Sequence, residues 1–174
     1  QAAYYEILDT RGEINLLTTK GQLKTHFDSW STAIDHSVLP VGIIMGIEGA
    51  DPILWPEQVH QWWEIGVRVI SLSHYGVSTY SHGTATGTQG GLFPPAKHLL
   101  KIMDSIGMIL DLTHTSDASI REALEIYSGP VLASHQNCRA LVPGERQFPD
   151  EIINSVIERG GVIGTSLDAF MLYR

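Results

Sequence analysis

Three apolar runs in this sequence each end on a side chain able to bind a metal ion. Residues 108–117 read MILDLTHTSD and deliver His114, residues 131–135 read VLASH and deliver His135, and residues 41–48 read VGIIMGIE and deliver Glu48. Two imidazoles and one carboxylate form a coherent zinc set that leaves a position for water, whose pKa the ion lowers to about 7. In a parallel α/β barrel the C-terminal ends of the strands face one mouth. Glu48, His114 and His135 are therefore expected to meet there.

Other residues compete for roles at that mouth. His74 follows the apolar run 67–73 and suits a fourth ligand or a donor to a developing oxyanion; its structural alternative is a ring packed on Tyr75. Arg146 has the chemistry of a bidentate carboxylate clamp, or of a surface cation paired with Glu145 or Asp150. Glu48 has its own structural alternative, a helix cap or a partner for Arg68. Cys138 sits three residues beyond His135; as the only cysteine it reads better as a small free thiol than as a ligand. Tyr75 to Gly91 is a long Gly, Ser and Thr stretch without periodicity that reads as a flexible loop over the mouth, and its portion 83–91, GTATGTQGG, lacks the Gly-Lys-Ser/Thr of a phosphate loop. Trp55, Trp62 and Trp63 read as helix packing. Serine-hydrolase elbows, His-Glu-x-x-His helices and Cys-x-x-Cys pairs are absent from the sequence.

The elements that must position these residues follow from periodicity. A strand is expected over 41–47, buried on both faces because nearly every residue is apolar. Further strands are expected over 67–73, 108–113, 131–134 and 162–166. Between them lie helical patterns over 56–65, 94–105, 117–127 and 149–159, framed by Pro and Gly. Ahead of them, residues 1–8 suit a helix and 14–17 form a short apolar piece of uncertain type. A helix is also expected over 20–36, capped by Thr18 or Thr19, with Leu23, Phe27, Trp30 and Ile34 as a stripe covering a sheet.

Such alternation means parallel strands and right-handed crossovers, an α/β fold. No repeat or linker divides the chain, so residues 1–174 are expected to form one domain, a partial (β/α)8 barrel of about five units. A closed barrel needs about 250 residues, and an open one exposes strand edges. The chain is therefore expected to be a central piece of a longer barrel, or to be completed by another polypeptide, a second copy included.

Composition narrows the class. With 43% hydrophobic and 17% charged residues the chain is globular, neither disordered nor fibrous. A net charge of -8, with 11 Lys and Arg and no basic run, argues against a nucleic-acid partner. One cysteine allows no internal disulfide. No apolar run reaches a transmembrane length of roughly 20 residues, and no signal-peptide pattern opens the sequence. None of this assigns a compartment.

Taken in order, several short motifs resemble the membrane dipeptidase (renal dipeptidase-like) metallopeptidases of the amidohydrolase superfamily. They are Gly46-Ile47-Glu48-Gly49, Gly66-Val67-Arg68 through Ser73-His74, Gly91-Leu92 before a helix, Asp111-Leu112-Thr113-His114, Ser134-His135, and Arg146 before Pro149-Asp150-Glu151. The resemblance implies a (β/α)8 barrel that cleaves dipeptides by attack of a metal-bridging hydroxide on the amide carbonyl. It implies that Glu48 bridges two zinc ions, that His114 and His135 ligate one of them, and that His74 and Arg146 contact the substrate.

Two family features have no counterpart in these residues: the His-x-Asp pair that holds the other zinc, and the aspartate that moves the proton. Asp168 lies near a strand end, with only its position to recommend it. The resemblance thus implies a parent dipeptidase of which this segment carries part of the site, inactive in isolation. Two alternatives share the same residues: a non-catalytic binding remnant of the barrel, and another amidohydrolase-type enzyme acting on a lactone or cyclic amide.

Overall fold

The structure is a computed structural model and describes residues 1–85, 87 and 90–173. The chain divides into two compact units, Gln1–Gly46 with His60–Arg68, and Ile47–Val59 with Val69–Arg174.

The first unit contains α1 (Ala2–Thr10), β1 (Ile14–Leu16), α2 (Lys20–Thr32) and β2 (Val41–Ile43). Strands β1 and β2 pair in parallel, Asn15 opposite Gly42. Helix α2 opens on a capping box: Thr19 Oγ1 accepts the Gln22 N–H while Gln22 Oε1 accepts the Thr19 N–H at 3.0 Å. Gly42 is required by space, because a Cβ there would meet the His26 ring and Leu17. Arg68 donates to the carbonyls of Thr18, Trp63 and Val67 and stacks on Trp63, 3.7 Å from its ring centre.

Two expectations fail here. The run 41–47 is not one doubly buried strand: it breaks at Ile44 into β2 and β3 (Met45–Ile47), which join different sheets. Val41 and Ile44 are exposed while Met45 is buried, so the run is not covered along its length on both faces. Helix α2 stops at Thr32, and Leu23, Phe27 and Ile34 are all exposed. The spacing located the helix and its cap, but of the stripe Trp30 alone is half-buried, its Nε1 donating to the Pro40 carbonyl at 3.2 Å.

After a short 3-10 turn and α3 (Val59–Glu64) come β4 (Val67–Ser71), α4 (Pro94–Ile106), β5 (Ile109–Asp111), α5 (Asp117–Ile126), β6 (Val131–Ala133), α6 (Asp150–Glu158), β7 (Val162–Ile163) and α7 (Ala169–Leu172). Strands β3 to β7 form a five-stranded sheet in sequence order, and the pairs β4–β5, β5–β6 and β6–β7 are parallel. Ser71 lies opposite Asp111, and Asp111 opposite Leu132, so the strand ends stand level. Helix α4 buries Ala96, Leu99, Leu100 and Met103, one face at helical spacing, and Gly107 ends it in a left-handed conformation at φ 78°. Leu110, Leu112, Met108 and Ile120 are fully buried with them and form the core under the strand ends.

The expected flexible loop over the mouth is tied down where it is described. Isolated bridges join Tyr75 to Thr84, Val77 to His82, Ser81 to Leu92 and Gly83 to Thr115. Tyr80 is fully buried and its hydroxyl donates to the Ile53 carbonyl at 2.6 Å. The composition signalled a loop, but the buried tyrosine inside it supplies the anchor. Thr86, Thr88 and Gln89 of the GTATGTQGG stretch lie outside the described residues.

Tyr80→Phe removes the hydroxyl and leaves the Ile53 carbonyl without its donor. Chemical denaturation should report a loss of about 1–3 kcal/mol, with the helical content of the folded state unchanged.

Candidate metal site at the strand ends

The second unit brings Glu48, His114 and His135 together. Glu48 immediately follows β3, and the next residue turns the chain at φ 89°, a conformation glycine adopts freely. The Gly49 N–H donates to Ser71 Oγ at 2.7 Å, which fixes that turn on the end of β4. His114 comes three residues after β5 and His135 two after β6. Asp111 Oδ1 links those two exits, accepting the N–H groups of both Thr113 and Ser134 at 3.0 Å.

Glu48 Oε1 lies 3.1 Å from His114 Nε2 and 3.2 Å from His135 Nε2, and the two nitrogens are 3.1 Å apart. A tetrahedral zinc ion with ligand bonds of about 2.0–2.1 Å separates its ligands by about 3.3 Å. The three edges therefore fit one small divalent ion, and the three residues form a cluster of metal-ligating type. Burial, followed by electrostatic repulsion from Arg146 and from the neighbouring His74 and His135 rings, lowers the His114 pKa to about 3. Its imidazole is thus neutral near pH 7 and offers a lone pair. His114 Nδ1 is buried without a partner, and the residue sits at φ 64°, a left-handed conformation that costs a side chain roughly 1–2 kcal/mol.

His74 stands at the same end, Nε2 3.9 Å from Glu48 Oε1, its ring centre 4.3 Å from that of His114. Tyr75 meets both rings edge-on, at 4.7 and 4.5 Å, so His74 is packed as well as poised at the mouth. Arg146 is buried rather than a surface cation. It donates through Nη2 to the His135 carbonyl at 2.9 Å and through Nη1 to Gln136 Oε1, while Nη2 also lies 3.4 Å from His114 Nε2. Cys138 lies 3.4 Å from Asp150 Oδ1 and is not part of the ligand cluster. Asp168 is an exposed N-cap of α7.

Several residues that build the site were given no role from sequence: Ser71 and Gln136, and Asp111, Thr113 and Ser134, which entered only as parts of motifs. Asp111 carried a readable signal, a carboxylate inside the apolar run ILDL. Gly83 carried none. A Cβ there would collide with the His74 carbonyl and lie 3.2 Å from the His114 carbonyl, so its lack of a side chain lets the loop pack on both site strands.

The family model for membrane dipeptidases (peptidase family M19) matches residues 16–172. The chain belongs to this family. It is 33% identical over 135 residues to dipeptidase aclJ of Aspergillus oryzae, covering 76% of this chain and 32% of that protein. It is 32% identical over 125 residues to dipeptidase verJ of Clonostachys rogersoniana, covering 70% and 32%. Among solved structures, a dipeptidase described as an M19 metallopeptidase matches with a TM-score of 0.82 at 20% identity, over 99% of this chain and 51% of that one. A metallopeptidase from Rhodobacter sphaeroides bound to a phosphinate mimic of the dipeptide L-Ala-D-Ala matches with a TM-score of 0.79 at 19% identity, over 97% and 48%. At those identities the structures speak for the fold, so the five-stranded sheet is part of a membrane dipeptidase barrel. The chain spans about a third of the curated relatives' length and about half of the solved chains. Among the described residues no helix is long and apolar enough to cross a membrane.

The left-handed backbone at His114 separates glycine from alanine. In metal-free protein His114→Gly should be more stable than His114→Ala by about 1–2 kcal/mol in denaturant titrations. The pKa of about 3 also sets a pH dependence. Because the unfolded imidazole takes its proton near 6.5, the unfolded state binds more protons between about pH 3 and 6.5, and stability falls as pH falls through that window. Thermal melts of metal-free protein should show this acid slope, and His114→Gly should flatten it.

Proposed function

We propose that the parent protein is a metal-dependent dipeptidase and that this chain carries the shared carboxylate and one metal's histidines. The observation carrying the proposal is the convergence of Glu48, His114 and His135 at adjacent strand ends, at spacings that fit one ion. Membership of the dipeptidase family supports the substrate class. The dipeptide mimic held by the Rhodobacter sphaeroides relative points the same way. Zinc is the metal that two imidazoles and a carboxylate suit best. When bound, it supplies Lewis acidity and lowers the pKa of water to about 7.

The chain's own residues then have distinct tasks. Glu48 brings the negative charge that holds the ion, and its position after β3 suits a carboxylate shared between two metals. His114 and His135 bring neutral nitrogens from neighbouring strands. His74, about half exposed at the mouth, is placed to donate to the carbonyl oxygen of a scissile amide. Arg146 serves the substrate through its charge, since Nη1 and Nη2 already hold Gln136 and His135.

The test is elemental analysis and dipeptide turnover on full-length parent protein and on the 174-residue chain. Full-length protein should bind zinc and hydrolyse a dipeptide panel. Glu48→Ala, His114→Ala and His135→Ala should each lower kcat/KM by at least about 100-fold, and chelation should abolish turnover. The 174-residue chain should bind metal with little turnover. Full activity in the His114→Ala variant would sink the proposal.

A further inference from the structure

The pair of hydroxyls beneath His135 has a role that goes beyond the ligand set. Ser134 Oγ lies 2.9 Å from His135 Nδ1 and donates to Thr113 Oγ1 at 3.3 Å. Thr113 is fully buried, and its Oγ1 also faces the His135 N–H at 3.4 Å. Both residues hang from one acceptor, Asp111 Oδ1, through their N–H groups. With its own hydrogen directed to Thr113, Ser134 presents lone pairs to His135 Nδ1.

The two rings differ in what stands behind them. His114 Nε2 and His135 Nε2 face each other across 3.1 Å, a gap with room for one hydrogen. His114 Nδ1 is buried without a partner, so a hydrogen there would go unpaired, whereas His135 Nδ1 has Ser134. An outer acceptor for the hydrogen of a ligating ring is therefore present at His135, where Ser134 Oγ faces Nδ1.

We infer that Ser134, held by Thr113 and Asp111, is a positioning residue that keeps the hydrogen of His135 on Nδ1 and so turns a bare Nε2 toward Glu48 and His114. The inference rests on reading those three residues as metal ligands. Outer partners of this kind fix the tautomer and the ring direction of a ligating histidine. Ser134 is itself exposed, so its replacement leaves the fold intact.

Two measurements on the full chain test this. Long-range proton–nitrogen spectra of metal-free protein near pH 8 (about 1.5 units above the ordinary histidine pKa) should show His135 with a hydrogen on Nδ1 and a bare Nε2. Ser134→Ala should give a tautomer mixture, and Ser134→Thr, which keeps the hydroxyl, should restore the wild-type signature. In competition with a chromophoric chelator, Ser134→Ala should weaken zinc binding by about 10- to 100-fold, with Ser134→Thr recovering most of it. A wild-type His135 protonated on Nε2, or a Ser134→Ala protein unchanged in both readouts, overturns the inference. Zinc binding unaffected by Glu48→Ala and His114→Ala would instead overturn the ligand reading, and the tautomer spectra still decide the part assigned to Ser134.

Discussion

Parallel pairing brings β4, β5 and β6 to the same level, and one buried carboxylate converts that alignment into a site. Asp111 closes β5, lies opposite Ser71 on one side and Leu132 on the other, and takes the first free N–H of each neighbouring exit. Without such an acceptor the amides of Thr113 and Ser134 would go unpaired just where the strands diverge, a cost of about 1–3 kcal/mol for the buried Thr113 group. The bonds also hold the two histidine-bearing turns in a fixed relation. On the other flank Gly49 and Ser71 do the same for Glu48.

Much of this was legible in the residues. An apolar run followed by a histidine or glutamate marks a strand end, and alternation with helical patterns implies that the ends share a side. Glu48, His114, His135 and His74 were found that way. The motif order pointed to the family independently of any geometry. Helix boundaries marked by Pro94 and Gly107 were readable because those residues fix backbone angles whatever surrounds them.

The rest depended on information that a linear pattern does not carry. Whether the run 41–47 is covered on one face or two depends on what packs against it, and its glycines suit either case. The stripe on α2 has helical spacing but leaves Leu23, Phe27 and Ile34 exposed, because periodicity specifies a face and not its partner. Arg146 looked like a clamp or a surface cation, and the structure shows a third state, a buried guanidinium braced against Gln136 and the His135 carbonyl. The loop from 75 to 92 lacks any period, yet Tyr80 and the bridges to Thr115 and Leu92 order its described part.

That loop has a consequence for selectivity. Asp51 accepts from Ser78 Oγ, the Thr79 N–H and Thr79 Oγ1 at 2.9, 2.9 and 3.0 Å, Tyr80 is sunk beneath it, and Gly83 rests on the His74 and His114 carbonyls. Over these residues the border of the mouth behaves as masonry rather than as a hinged door. For the dipeptidase proposed above, discrimination along these residues would come from the fixed width of the opening, a sieve cast when the chain folds.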